Sequence, residues 1–245
     1  MEFAAPAIVV AVVPHGEHGA VVRFLTADHG LVAGYMAGGR SRANRPILQP
    51  GNGVALRLRS RSAGALGAAT VELVRARTAL ATGRATAAGL SYLTALVATV
   101  LDEGTGHPRL YAALDGVLDT MVLADNILGW LPGIVRLELV LLAELGFGLD
   151  LASCAATGVA AAAADLAFVS PKSSQAVGRL AGEPYAAKLL PLPAFIVAGG
   201  AATLADVGDG LRTTGWFLER DVVAAHTGLR DARARLVALA IEQRG

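Results

Sequence analysis

The sequence predicts an α+β chain, with a small barrel of strands at the N-terminus and helices after it. Three observations carry this reading. Within residues 1–82, short segments alternate apolar and polar side chains with a two-residue period and are joined by Gly-rich turns. From Thr86 onward, apolar residues recur instead at three- and four-residue spacing. The chain is 245 residues long and 54% apolar, which excludes disorder and allows a sizeable core.

The strands come first. Ala7–Val13 is apolar and β-branched and is punctuated by Pro14 and Gly16. Ala20–Thr26 closes at the turn Asp28-His29-Gly30, and Leu31–Met36 follows. Gly38 to Pro46 is a basic loop without an apolar period. Val54–Arg61 is the clearest strand: Val54, Leu56 and Leu58 point one way, and Arg57, Arg59 and Arg61 the other. After the turn Gly64–Gly67, Ala69, Val71 and Leu73 alternate with Thr70, Glu72 and Val74. About five strands with Gly-rich connections suit a small closed barrel such as the OB-fold.

Helical stripes follow. Leu90, Leu93, Leu96, Val97, Val100 and Leu101 form the first; Leu110, Leu114, Val117, Leu118 and Met121 form the second. Ile134, Leu137, Leu141, Leu142 and Leu145 form a third, with Pro132 near its start and Gly146 and Gly148 past its end. Thr203 to Val223 and Leu229–Ile241 read as two late helices. Between the third stripe and these helices, about 150–193 has broken periodicity, four prolines and an Ala run, and reads as loop with short elements. The expected domains are therefore 1–82, the barrel, and 83–245, a helical domain with this irregular insert.

Charge separates along the chain. Residues 1–80 hold nine arginines against four acids, a net +5, while the remainder is net −4. Arginine's planar fork suits phosphate. Arg57, Arg59 and Arg61 on one strand face, beside Arg40, Arg42 and Arg45 in the loop and Arg23 on the second strand, form a candidate patch for a phosphate backbone. A solvated outer sheet face gives the same pattern. Phe3, Phe24 and Tyr35 are the aromatics of this region, and Phe24 fits the core, so backbone electrostatics is the expected dominant force.

Enzymatic motifs are missing: there is no phosphate-binding G-x-x-x-x-G-K-[ST], no G-x-S-x-G and no H-E-x-x-H. His15, Glu17 and His18 are a tight set of metal-ligand types, but in a turn without an evident fourth ligand they read as a solvated turn. Cys154 is the one cysteine, so no internal disulfide and no C-x-x-C pair exists, and it reads as a packed thiol. Leu189 to Ala205 lacks charge but is broken by Pro191, Pro193, Gly199 and Gly200, which argues against a membrane span. Glu2 stands where a signal peptide needs a basic residue. A cytoplasmic protein without cofactor or metal is the expectation.

Several runs resemble one family. PHGEHGAVVRFLTADHGLVAGYMAGGRSR at 14–42 and LQPGN at 48–52 are similar to the N-terminal OB-fold domain of the RecO recombination mediators; VRLELVLLAELGFGLDLASCAATG at 135–158 and GLRDARARL at 228–236 resemble their helical domain. The resemblance implies a non-enzymatic DNA-repair protein that binds single- and double-stranded DNA, partners RecR and the single-strand-binding protein SSB, helps load RecA, anneals strands and associates with the nucleoid. Many members carry two C-x-x-C pairs for zinc; here Cys154 meets Thr157 at the second position, and Ala160–Gly182 supplies no later pair. Packing through Phe168, Val169, Tyr185 and Leu189 is expected to hold that segment instead.

The same resemblance points to an SSB-tail receptor on the third helix. An acidic tail ending in an apolar residue needs a cation beside an apolar pocket, and Arg136, Leu137, Val140 and Leu141 are the candidates. Ordinary core packing, with Arg136 paired to Glu138, is the competing reading of those residues. Two other functions fit the residues: an OB-fold RNA-binding factor, or a protein–protein adaptor whose arginines only solubilise it.

Overall fold

A computed structural model describes residues 2–60 and 65–242. The chain divides into two compact units, Met1–Leu123 and Ala124–Gly245. The first therefore holds the strands together with the first helices, and carries 11 arginines against 8 carboxylates.

Five strands open the first unit: β1 (Glu2–His15), β2 (Gly19–Thr26), β3 (Gly30–Met36), β4 (Gly53–Arg59) and β5 (Gly67–Arg75). They close into a barrel in the order β1-β2-β3-β5-β4, the arrangement expected of an OB-fold. β1 is longer than the Ala7–Val13 read from the sequence, running from Glu2 through Pro6 and Pro14 to His15. Its first half, Glu2 to Ile8, pairs with β4, and its second half pairs with β2, with a bulge between Val9 and Ala11 where the strand crosses from one neighbour to the other. Closure occurs where β3 and β5 run parallel, at Gly34 opposite Gly67. A Cβ on Gly34 would stand 2.6 Å from that of Ala69, and one on Gly67 would stand 2.9 Å from the Arg59 carbonyl, so the seam needs both glycines.

Inside the barrel, Ala7, Val9, Val22, Phe24, Val32, Met36, Leu56 and Leu58 form one apolar cluster. Each large side chain buried there contributes roughly 1.5–3 kcal/mol. The alternation read at 54–59 is found: Val54, Leu56 and Leu58 are buried, whereas Ala55, Arg57 and Arg59 are exposed. Arg61 lies outside the described residues, as does Gly64 at the start of the following turn.

α1 (Arg77–Leu80), α2 (Arg84–Val100) and α3 (Pro108–Leu123) complete this unit. α2 packs on β1 with Leu90, Leu93, Leu96 and Val97 buried, and α3 buries Leu110, Leu114, Val117, Leu118 and Met121. The LQPGN turn is a structural joint. The buried Asn52 donates from its amide to the carbonyls of Pro46 (2.9 Å) and Ile47 (3.2 Å) and accepts from the Thr78 amide (3.1 Å). Its own carbonyl accepts from the Val9 amide, so β1, the loop and α1 meet at one residue.

The second unit is built on α4 (Leu131–Glu144). The irregular stretch contains β6 (Leu166–Val169), β7 (Ala176–Gly178), α5 (Arg179–Gly182), β8 (Leu190–Pro191) and α6 (Ala194–Val197). The three short strands form a sheet in the order β7-β6-β8. α7 (Leu204–Asp221) and α8 (Thr227–Glu242) follow, and Thr203 caps α7 with Asp206 in a reciprocal capping box. α4 packs on α7, where a Cβ on Gly210 would stand 3.0 Å from Val135. Of the four residues expected to hold the insert, Val169 is fully buried, and Phe168 and Leu189 both lie against Gly182. Tyr185 is 62% exposed and takes no part, because the short helical turn around it faces solvent. Among the described residues, no helix is long and apolar enough to cross a membrane.

Candidate nucleic-acid interface

The arginines of the barrel fall into three groups by what holds them. Arg75 ends β5, Arg77 opens α1, and both side chains reach α3. Arg77, 2% exposed, donates to Asp119 (2.6 Å) and to Asp115 (2.6 Å), and Arg75 reaches the same two carboxylates at 2.6 and 3.0 Å. Burial alone would raise the Asp115 carboxyl, but the hydrogen bonds from Arg77 and Arg75 outweigh it and hold the group below the usual range. Arg59 pairs with Glu2 at 2.8 Å, its register partner across β1 and β4. Arg23 donates to the Ala98 carbonyl and pairs with Glu103 at 3.4 Å, tying β2 to the end of α2. The net +5 of residues 1–80 thus overstates the available charge: four of the nine arginines bind carboxylates of their own unit.

A second kind is held without being neutralised. Arg40 donates from Nη1 to the carbonyls of Gly16 (3.4 Å) and Glu17 (3.1 Å), in the turn between β1 and β2. Its guanidinium is fixed there and keeps its charge. Arg42, Arg45 and Arg57 form the third kind: all are exposed, and none has an ion-pair partner among the described residues.

Arg40 and Arg45 line one concavity and Arg57 another, rather than one continuous patch, and Arg42 lines neither. Val12, Pro14, Gly39, Arg40, Arg45, Leu48, Gln49 and Pro50 surround a groove of about 460 Å³ beneath the β3–β4 loop. Ala4, Ala55, Arg57, Thr70, Val71 and Glu72 surround another of about 440 Å³ on the outer face of β4 and β5. The two share no residue. His15 at the end of β1 and Glu17 and His18 in the β1–β2 turn are all exposed, and among the described residues no group of three or more His, Cys, Asp and Glu stands where it could hold a metal ion.

In the second unit, Leu137 and Leu141 are 1% and 0% exposed and belong to the core, because α4 buries that stripe. Arg136 is exposed, lies 5.5 Å over the Phe195 ring and donates to the Phe195 carbonyl at 3.2 Å, and Val140 is half-buried. The pairing of Arg136 with Glu138 is not found. Glu138 is fully buried and takes a two-pronged bond from Arg233 of α8 at 2.8 and 2.9 Å, together with the Thr214 hydroxyl. Gly215 leaves the space that Arg233 fills, since a Cβ there would stand 2.5 Å from the guanidinium.

Cys154 is buried, and its Sγ accepts the Gly178 amide at 3.2 Å. The Thr157 hydroxyl and the Gly178 amide lower its thiol to about 7. One thiol held by hydrogen bonds does not make the four-ligand set that a structural zinc requires.

Comparison with known proteins matches both units. The family model described as Recombination protein O N terminal covers residues 1–77, and that described as Recombination protein O C terminal covers 82–230. The chain belongs to the RecO family. It is similar to the DNA repair protein RecO of Paracoccus denitrificans, with 42% identity over 97% of this chain and 96% of the relative. It is also 43% identical to the DNA repair protein RecO of Caulobacter vibrioides NA1000, over 91% and 90%. For that of Phenylobacterium zucineum the figures are 44%, 89% and 88%. The resemblance drawn from the four motifs is thus supported along nearly the whole chain, and this RecO-family protein is a DNA repair protein.

Proposed function

We propose that the protein is a non-enzymatic recombination mediator that binds single- and double-stranded DNA through its barrel. In this reading it acts in the cytoplasm with RecR, displaces SSB, loads RecA and anneals strands. The observation that supports the DNA contact most directly is the set of uncompensated guanidiniums, Arg42, Arg45 and Arg57, together with Arg40, whose partners are carbonyls only. Such groups neutralise phosphates and release counterions. Arg23 and Arg59 are left as ties within the first unit, and Arg61 joins the proposal by the sequence alternation at 54–61 alone.

An exposed cation pinned over a ring is suited to the terminal carboxylate of an acidic tail, and Arg136 beside Val140 is the proposed SSB contact. Replacement of Arg40, Arg42 and Arg45 by alanine tests the central claim. Each arginine that no longer neutralises a phosphate lowers the salt slope on single strands by roughly 0.7. Fluorescence anisotropy across a salt series should therefore show a slope reduced by about 2 with an unchanged melting temperature. Wild-type affinity at all salts would remove the loop from the interface.

A further inference from the structure

The outer face of β1, β2 and β3 has two unlike ends. Register sets its rows: Ala11, Arg23 and Ala33 form one, and Val13, Val21 and Tyr35 the next, with His15 opposite Gly19 beyond them. At the first row Arg23 ties the sheet to the end of α2 through Ala98 and Glu103, and Leu25 and Leu31, further along, are fully buried. The other end is open. Val13 is 57% exposed, His15 is exposed and Tyr35 is half-buried.

On that open end two rings meet. His15 and Tyr35 stand edge to face, with centroids 5.7 Å apart. The phenol end of Tyr35 lies over Gly19, where a Cβ would come within 2.5 Å of the ring, so the glycine makes the seat for the tyrosine. Among the described residues neither ring has an ion pair or a side-chain hydrogen bond, and neither belongs to the barrel core. Phe3 and His29, by contrast, stack at 3.9 Å with Phe3 packed against the core cluster, which is structural work. Beside the open pair, Arg40 crosses the same β1–β2 turn: its amide donates to the His18 carbonyl at 3.1 Å and its guanidinium to Gly16 and Glu17.

We infer that His15 and Tyr35 form a stacking platform for an unpaired base of single-stranded DNA, whose phosphate lies on Arg40. The inference rests on the proposed DNA binding and assigns the residues of its base contact. A π surface flanked by valines and bordered by an un-neutralised cation matches a splayed nucleotide, base on the rings and phosphate on the guanidinium. A duplex keeps its base faces stacked inside and offers nothing to such a platform. The barrel therefore selects single strands through a contact that salt does not weaken, alongside the salt-sensitive arginines.

The test compares an oligo-dT with an abasic strand of the same length, for the wild type and for His15→Ala, Tyr35→Leu and Tyr35→Phe. Wild type should bind oligo-dT more tightly, and Tyr35→Leu should lose roughly tenfold on oligo-dT, in line with stacking contributions measured per base. Tyr35→Phe should stay within about twofold of wild type. Neither change should move the affinity for the abasic strand. Photocrosslinking of a 5-iodouracil oligonucleotide to the wild-type chain, read by peptide mass, does not depend on how the variants fold and should place the adduct on His15 or Tyr35. Equal wild-type affinity for the two strands, or adducts confined to other residues, would overturn the platform and leave DNA binding standing. Failure to bind either strand would overturn the DNA-binding reading itself, and tighter binding of oligo-rU would assign the platform to RNA.

Discussion

Two stretches of the first unit look alike in sequence and behave in opposite ways. Arg40, Arg42 and Arg45 precede β4, and Arg75 and Arg77 stand at the end of β5 and the start of α1; both read as closely spaced arginines on a basic domain. The second pair is spent inside the fold on Asp115 and Asp119 of α3, with Arg77 almost wholly buried. The first set faces solvent, and the one member that is fixed, Arg40, is fixed by carbonyls. A carboxylate partner cancels charge, whereas a carbonyl partner only orients it. Arginines held by carbonyls or by nothing are therefore the ones left for a polyanion, a distinction that a charge count does not make.

The largest consequence falls on the spent pair. Arg77→Ala leaves two carboxylates facing each other without their buried counter-ion, and should cost about 3 kcal/mol of stability. Thermal melting measures this; a shift of less than about 1 °C would show that Arg75 suffices alone. The same cluster predicts an acid sensitivity. The Asp115 carboxyl is depressed in the folded state, so its contribution is complete above the unfolded value near ~3.9 and is lost as pH falls through the folded one. The stability gap between wild type and Asp115→Asn should thus be constant near neutrality and close on acidification. A gap that widened below about pH 4 would reverse the sign and exclude the ion pair as its source.

What is legible in the sequence follows the range of each interaction. β4 can be read because its alternation is local, and the helical stripes of α2, α3 and α4 because their period is. The partners of Arg75 and Arg77 lie about 40 residues away on α3, and that of Arg233 lies 95 residues away on α4, so no local pattern announces them. β6, β7 and β8 are two to four residues long, too short for a period to register. The basic loop stands out by composition, and Arg136 by resemblance. Tyr35 does not stand out, because one tyrosine among few aromatics carries no signal; only strand register brings His15 beside it. Leu137 and Leu141 are ambiguous in sequence, since a buried helical stripe and a receptor pocket share the same spacing, and burial assigns them to the core.

Arg136 is the second unit's counterpart of Arg40, oriented by a carbonyl and a ring without losing its charge. Arg136→Ala should weaken binding of an SSB C-terminal peptide about tenfold by calorimetry, the loss of one charge-assisted bond. DNA binding by the barrel should not change. Peptide binding as tight as wild type would move the receptor elsewhere on the protein.

The smallest effect is the sharpest test, because it compares neighbours on one strand. Arg57 and Arg59 project from the same face of β4 and both are exposed, yet only Arg59 has a carboxylate, Glu2, at 2.8 Å. If available charge rather than arginine count decides, Arg57→Ala should lower the salt slope by roughly 0.7 and Arg59→Ala by clearly less. An exposed pair of this kind is worth only about 0–1 kcal/mol, so breaking it leaves the barrel intact. Glu2→Gln then frees Arg59 without removing any arginine, and should raise affinity for single strands at low salt by about twofold, an advantage that fades as salt screens it. Equal losses for the two arginines, with no gain from Glu2→Gln, would mean that the ion pair opens at no cost when DNA arrives and that counting arginines is sufficient on this face.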